Sequence, residues 1–230
     1  MSSTKLIYDY WRERYPARVF VPFAILLAAA GATAGGAAGG SLPTVRDAIK
    51  SCILAYMLIL VFRIVDDLAD LRSDRLRYPD RVLVRAVFMS ASSRTPIVVL
   101  ALAIALGDVL IMMSQPRLGA RVAVFAALAL FLGLWYHRRA RLRAGPLAGA
   151  HILLLKYPAI SLLTCANWDG LTLHTALPSL GASYLGLCIY EQVHDRAVRE
   201  SRGARWIFAA ELGLLAGLPL LALSTGGFLR

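Results

Sequence analysis

Apolar residues fall into seven long runs, near 19–40, 47–65, 95–114, 119–137, 146–166, 174–193 and 204–225. Each is about 20 residues long, the length of helix that crosses the hydrocarbon of a bilayer. Breaks between them are marked by Gly, Pro or charge, as in Gly39-Gly40-Ser41-Leu42-Pro43, Gln115-Pro116, Arg143-Ala144-Gly145-Pro146 and Asp169-Gly170. The pattern predicts an all-α, polytopic transmembrane bundle of about seven spanning helices. With no internal repeat and no appended soluble domain, residues 1–230 read as a single transmembrane domain. The stretch Gly31 to Gly40 is almost entirely Gly and Ala, which in a membrane marks either close helix packing or a partly unwound segment.

Composition sharpens this picture. Of the 230 residues 58% are hydrophobic and only 17% charged, with a mean hydropathy of +0.62. An ordinary soluble domain carries about 25% charge, so a disordered chain is excluded, and the apolar runs of about 20 residues argue against a soluble enzyme core. Cys52, Cys165 and Cys188 are scattered, odd in number and without CxxC spacing, which indicates neither a disulfide framework nor a zinc site.

A net charge of +11 would suggest nucleic acid in a soluble chain, but the placement of the basic residues gives another reason. Four precede the first run, and the second, fourth and sixth connections carry six, four and four, against five on the opposite side. Basic residues concentrate on the cytoplasmic side of a membrane. The expected protein is therefore multi-pass in a lipid bilayer, with a cytoplasmic N-terminus and no nucleic-acid partner.

Chemistry concentrates at the cytoplasmic end of the second run. Asp66, Asp67, Asp70 and Asp74 place four carboxylates within nine residues. Asp66, Asp70 and Asp74 recur every four positions, so on a helix they form one stripe with Asp67 beside it. Carboxylates so close repel, and hard divalent cations, Mg²⁺ above all, compensate them and share their coordination shell with substrate phosphates. The competing reading is a solvated helix end whose acids pair with the arginines between them. It is weakened because the array begins inside an apolar run, where a carboxylate needs a partner or a function. A second station, Glu191 and Asp195 with His194, ends the sixth run on the same predicted face. Taken alone, that pair fits helix-end capping equally well.

These two stations resemble the motifs of the UbiA superfamily of intramembrane prenyltransferases. Asp66-Asp67-x-x-Asp70-x-x-x-Asp74 resembles the family's N-D-x-x-D-x-x-x-D, with Asp in place of the first Asn. Glu191, His194 and Asp195 resemble the second motif, [DE]-x-x-K-D-x-x-D, with His in the Lys place and Val198 at its last position. Tyr136 and Arg141 match part of a Y-x-x-x-K-R element, with Ala140 where the family has Lys. Family members commonly have nine spans, two more than are read here.

The resemblance implies that Mg²⁺ held by Asp66, Asp70, Asp74, Glu191 and Asp195, with Asp67 orienting or coordinating, binds the diphosphate of an isoprenoid substrate. The C–O bond then ionises, and the prenyl group passes to a hydrophobic or aromatic acceptor. Arg63, Arg141, His194 and Arg81 are the candidates for direct diphosphate contact, and Lys156, a mid-span lysine, is another. Three other outcomes stay open. Capture of the cation by the substrate's own double bonds would make the protein a terpene cyclase. A non-enzymatic seven-helix protein could use the acids at an interface. CDP-alcohol phosphotransfer ranks last, because its Asp-Gly and Ala-Arg elements are missing.

Overall fold

The computed structural model describes residues 2–36, 44–137 and 144–224, and every element among them is a helix. In chain order these are α1 (Ser3–Arg14), α2 (Ala17–Ala34), α3 (Val45–Arg77), α4 (Val82–Met89), α5 (Arg94–Met113) and α6 (Leu118–His137). They continue with α7 (Pro146–Leu154), α8 (Lys156–Leu163), α9 (Leu173–His194), the one-turn α10 (Arg196–Arg199) and α11 (Ala204–Ser224). A short 3₁₀ turn, Ala91–Ser93, leads into α5.

Among the described residues five segments are long and apolar enough to cross a membrane: Ala17–Ala34, Val45–Arg77, Ala91–Met113, Leu118–Tyr136 and Pro146–Leu163. The fifth is interrupted at Leu155, where α7 gives way to α8. The sixth apolar run is helical as α9, which Thr175, Pro178, Ser179, Ser183 and Glu191 make more polar than the others. The seventh is α11. At 33 residues α3 runs about 12 residues past its apolar part, so the acidic array continues the same helix. The last four positions of the Gly/Ala stretch, residues 37–40, lie outside the described residues.

The chain divides into two compact units, one holding residues 1–25 and 53–114 and the other 26–52 and 115–230. In the first unit α1 and α4, both too short to span a bilayer, pack on each other and on α5. Tyr15 joins α1 to α3. Its hydroxyl donates to the Tyr56 carbonyl (2.8 Å), and its ring stacks on Phe20 at 4.2 Å.

The second unit is built on α9, which packs against α7, α8 and α11. Leu147, Val198 and Ala204 form a buried cluster among α7, α10 and α11. Small residues let backbones approach as the Gly/Ala stretch predicts. A Cβ on Gly31 would lie 2.1 Å from the Ser161 carbonyl oxygen, and one on Gly35 would lie 2.7 Å from that of Asn167. Arg121, completely buried in α6, donates to the Leu163 and Cys165 carbonyls where α8 ends and to Pro116 O (3.0 Å). The last carbonyls of a helix have no partner of their own, and here one guanidinium supplies it.

Candidate active site

The acidic array of α3 is not presented as one uniform stripe. Asp67 and Asp74 are buried, one on each side of buried Leu71, while Asp66 and Asp70 are half-exposed. Positions seven apart share a helix face as well as positions four apart do. The face turned inward by packing with α1 and α4 is therefore 67–71–74.

Each buried acid meets an arginine from outside α3. Asp67 accepts from Arg14 Nε (2.9 Å) and Arg14 Nη2 (2.6 Å), and from the Tyr10 hydroxyl at 2.9 Å. The fork-shaped contact is the strong, geometrically specific form of the arginine–carboxylate pair. Arg63, one turn earlier on α3, brings Nε to 3.7 Å of Asp67 Oδ1, within ion-pair range but beyond a hydrogen bond. Asp74 accepts from Arg81 Nη1, and the Arg81 guanidinium also lies over the Tyr78 ring, 3.9 Å from its centroid.

Tyr10, Glu13 and Arg14 come from one face of α1, being three and four residues apart. Glu13 accepts from the Val82 amide (2.8 Å), satisfying an orphan N–H at the start of α4 and fixing α1 to α4. Burial, and then the Asp67 carboxylate, push the Tyr10 phenol well above its ordinary pKa. Burial is the largest single influence on Arg14 and opposes its charge, but the hydrogen bonds to Asp67 together with the charges of Asp67 and Asp74 outweigh it and raise the Arg14 pKa. Tyr10, Glu13, Arg14, Asp67, Leu71, Asp74, Arg81, Leu83 and Val84 line one pocket. Its volume, about 10 Å³, is room for about one water. The candidate metal donors are all oxygen, the set that suits Mg²⁺, and in this arrangement the Arg14 fork and one Arg81 nitrogen compensate the carboxylates.

The second predicted station lies in the other unit. Asp195 is exposed and caps α10, accepting from the Ala197 amide (2.7 Å) and the Val198 amide (3.3 Å). His194 stacks on Tyr190 at 3.9 Å, and its Nδ1 faces the Tyr190 carbonyl oxygen at 2.9 Å. Glu191 is half-buried. Glu200 pairs with Arg196 one turn away. These are the contacts of a helix end, the reading that the pair alone fits equally well.

Lys156 is buried at the start of α8, with Nζ 5.4 Å from the centroid of the Tyr157 ring. Arg141 lies outside the described residues. Sequence reasoning passed over Tyr10 and Arg14, the partners of Asp67. Their i, i+4 spacing was available as a signal, but Arg14 read as one of many cytoplasmic arginines. It also passed over Glu211, buried in α11, and Asp108, completely buried in α5. Among the described residues, neither Asp108 carboxylate oxygen has a hydrogen-bond partner.

These features define a helical protein with several helices of membrane-spanning length and, on one of them, a buried carboxylate pair held by arginines. No family model, no curated protein and no solved structure matches the chain.

Proposed function

We propose that the protein is an intramembrane enzyme that ionises an isoprenoid diphosphate with the help of Mg²⁺ and transfers the prenyl group to an acceptor, as in the UbiA superfamily its motifs resemble. One observation carries the reading. Asp67 and Asp74 are buried near the end of an apolar helix, and Arg14 and Arg81 meet them in a shared pocket. Burying two carboxylates against two half-buried guanidinium groups is costly. A fold that retains them at a place already rich in phosphate-binding side chains has the parts of a metal–diphosphate site.

In this reading Mg²⁺, when bound, neutralises the charge that develops on the leaving diphosphate. The Asp66, Asp67, Asp70 and Asp74 carboxylates would hold it at α3, and Glu191 and Asp195 remain the candidates for a second station. Arg14, Arg63 and Arg81 turn from carboxylate to phosphate oxygens, which match their forked donors equally well. Lys156, His194 and Arg141 remain further candidates for the diphosphate. The apolar surroundings strengthen these contacts and keep water from the allylic cation.

Terpene cyclisation is the second reading, because the same acids and arginines would ionise the same substrate without an acceptor. The test is incubation of purified protein with farnesyl or geranylgeranyl diphosphate and Mg²⁺, with products identified by mass spectrometry. Diphosphate release together with a cyclic hydrocarbon or alcohol supports cyclisation, and release only with an added acceptor supports transfer. Asp67→Asn and Asp74→Asn, folded as judged by circular dichroism, should each lower turnover by about 10²-fold or more. Wild-type protein that releases no diphosphate with any acceptor, or variants that keep full turnover, would overturn the proposal.

A further inference from the structure

Within the second unit, three helices bring together side chains that are far apart in sequence. His151 of α7, Cys188 of α9 and Glu211 of α11 place one ligand atom each within 4.8 Å of one another. Cys188 and Glu211 are buried, with relative exposures of 1% and 5%, and His151 is partly so. The acids of the candidate active site play no part in this group.

The hydrogen bonds fix what each atom can do. His151 Nδ1 lies 2.8 Å from the Leu147 carbonyl oxygen, which only accepts, so Nδ1 carries a proton. His151 Nε2 lies 2.6 Å from Glu211 Oε1. A neutral imidazole protonated at Nδ1 presents a lone pair at Nε2, so two electron-rich atoms face each other. A cation must sit between them, and a proton is the smallest that serves. Gln192 Nε2 donates to Glu211 Oε2 and fixes the carboxylate from behind. Metal-binding histidines are held in this way, the far ring nitrogen donating to a carbonyl, and metal-binding carboxylates are commonly hydrogen-bonded in turn.

We infer that His151, Cys188 and Glu211 form a binding site for a divalent transition metal of the zinc class. The donor set is one nitrogen, one sulfur and one oxygen, which selects Zn²⁺ over Mg²⁺ or Ca²⁺. Two ligands of one tetrahedral Zn²⁺ at about 2.0–2.1 Å sit about 3.3 Å apart. Metal entry therefore spreads the 2.6 Å Nε2–Oε1 contact by only about 0.7 Å, and water takes the fourth position, as in open zinc sites. The proton shared by His151 and Glu211 and the thiol proton of Cys188 both pass to solvent, two for each metal ion taken up. Gln192, which holds Glu211 from behind, also lines a groove of about 860 Å³ with Arg199, Trp206 and Phe208.

The experiment uses the full chain in detergent, free of any histidine tag, stripped with chelator and titrated with Zn²⁺ or Co²⁺ alone. One ion per chain is expected, with about two protons released per ion in weak buffer. Co²⁺ should show tetrahedral visible bands and a thiolate charge-transfer band. Cys188→Ser should abolish the charge-transfer band, and His151→Ala and Glu211→Gln should each weaken binding by at least about 10–100-fold. Gln192→Leu, which touches no metal, should weaken it by about 10-fold while leaving the bands in place. Should His151→Ala fail to fold, the wild-type cobalt spectrum and Cys188→Ser decide the matter alone. Absence of stoichiometric binding, or binding with spectrum and affinity unchanged in Cys188→Ser, would show that the cluster holds only a proton. The readout needs no substrate, so its failure is separable from failure of the proposed diphosphate chemistry.

Discussion

Arg14 and Asp67 offer the most direct test of the candidate site, because their contact can be removed from either side. Asp67 accepts two charge-assisted hydrogen bonds from Arg14, at 2.9 and 2.6 Å, and one from Tyr10. The side chains of Arg14 and Asp67 keep 15% and 8% of their surface exposed. Breaking a buried ion pair from one side costs about 3–5 kcal/mol, since it strands a desolvated charge. The residual exposure of Arg14 and the remaining Tyr10 bond set Arg14→Met near the lower end, at about 3 kcal/mol. Asp67→Leu should cost about as much, because it leaves the guanidinium unpaired. The double variant Arg14→Met/Asp67→Leu strands neither charge and should lose less than the two singles together, by about 2 kcal/mol or more. The Tyr10 hydroxyl loses its acceptor in the Asp67 single and in the double alike, so that loss cancels from the cycle. Unfolding in mixed detergent micelles, followed by circular dichroism, measures all four proteins. Additivity to within about 0.5 kcal/mol would mean that the pair does not act as a unit, and the electrostatic account of the pocket would fail.

Three further outcomes are expected. Tyr10 has a folded pKa raised above the ordinary 10.0, so its contribution is fully present below pH 10 and is lost as pH rises above it. Stability should therefore fall beyond pH 10 by up to about 1.4 kcal/mol per pH unit from this group, and Tyr10→Phe should lack that part of the alkaline limb in a pH series of unfolding curves. Arg121→Met should cost about 4.5 kcal/mol or more, since the carbonyls of Pro116, Leu163 and Cys165 lose a charged donor worth about 1.5–3 kcal/mol per bond. Arg121→Lys, which presents one ammonium instead of a fork, should recover less than half of that loss in the same assay. Asp108→Leu should raise the thermal midpoint, because it replaces a buried carboxylate without a hydrogen-bond partner among the described residues by apolar volume, a gain of about 1–3 kcal/mol. A lowered midpoint would mean that Asp108 has a stabilising partner in the membrane-bound protein.

The helices were legible because membrane spans are a local property. Runs of apolar residues at 95–114 and 119–137 became α5 and α6 within a residue of their expected ends. The run at 146–166 was legible as helix, but not its break at Leu155. The short helices α1 and α4 escaped notice because they are too short to form an apolar run. Their faces become meaningful only against α3.

The sequence by itself determined that this is a helical chain with several segments long and apolar enough to span a membrane and that carboxylates crowd the end of one of them, because hydropathy and charge spacing act over a few turns of helix. Tertiary structure alone decided which acids are buried and what they meet. Arg14 reaches Asp67 across 53 positions, and His151 reaches Glu211 across 60. In a low-dielectric interior a buried charge is costly without a partner. Which one it finds depends on how helices are placed side by side, and no local pattern along the chain encodes that.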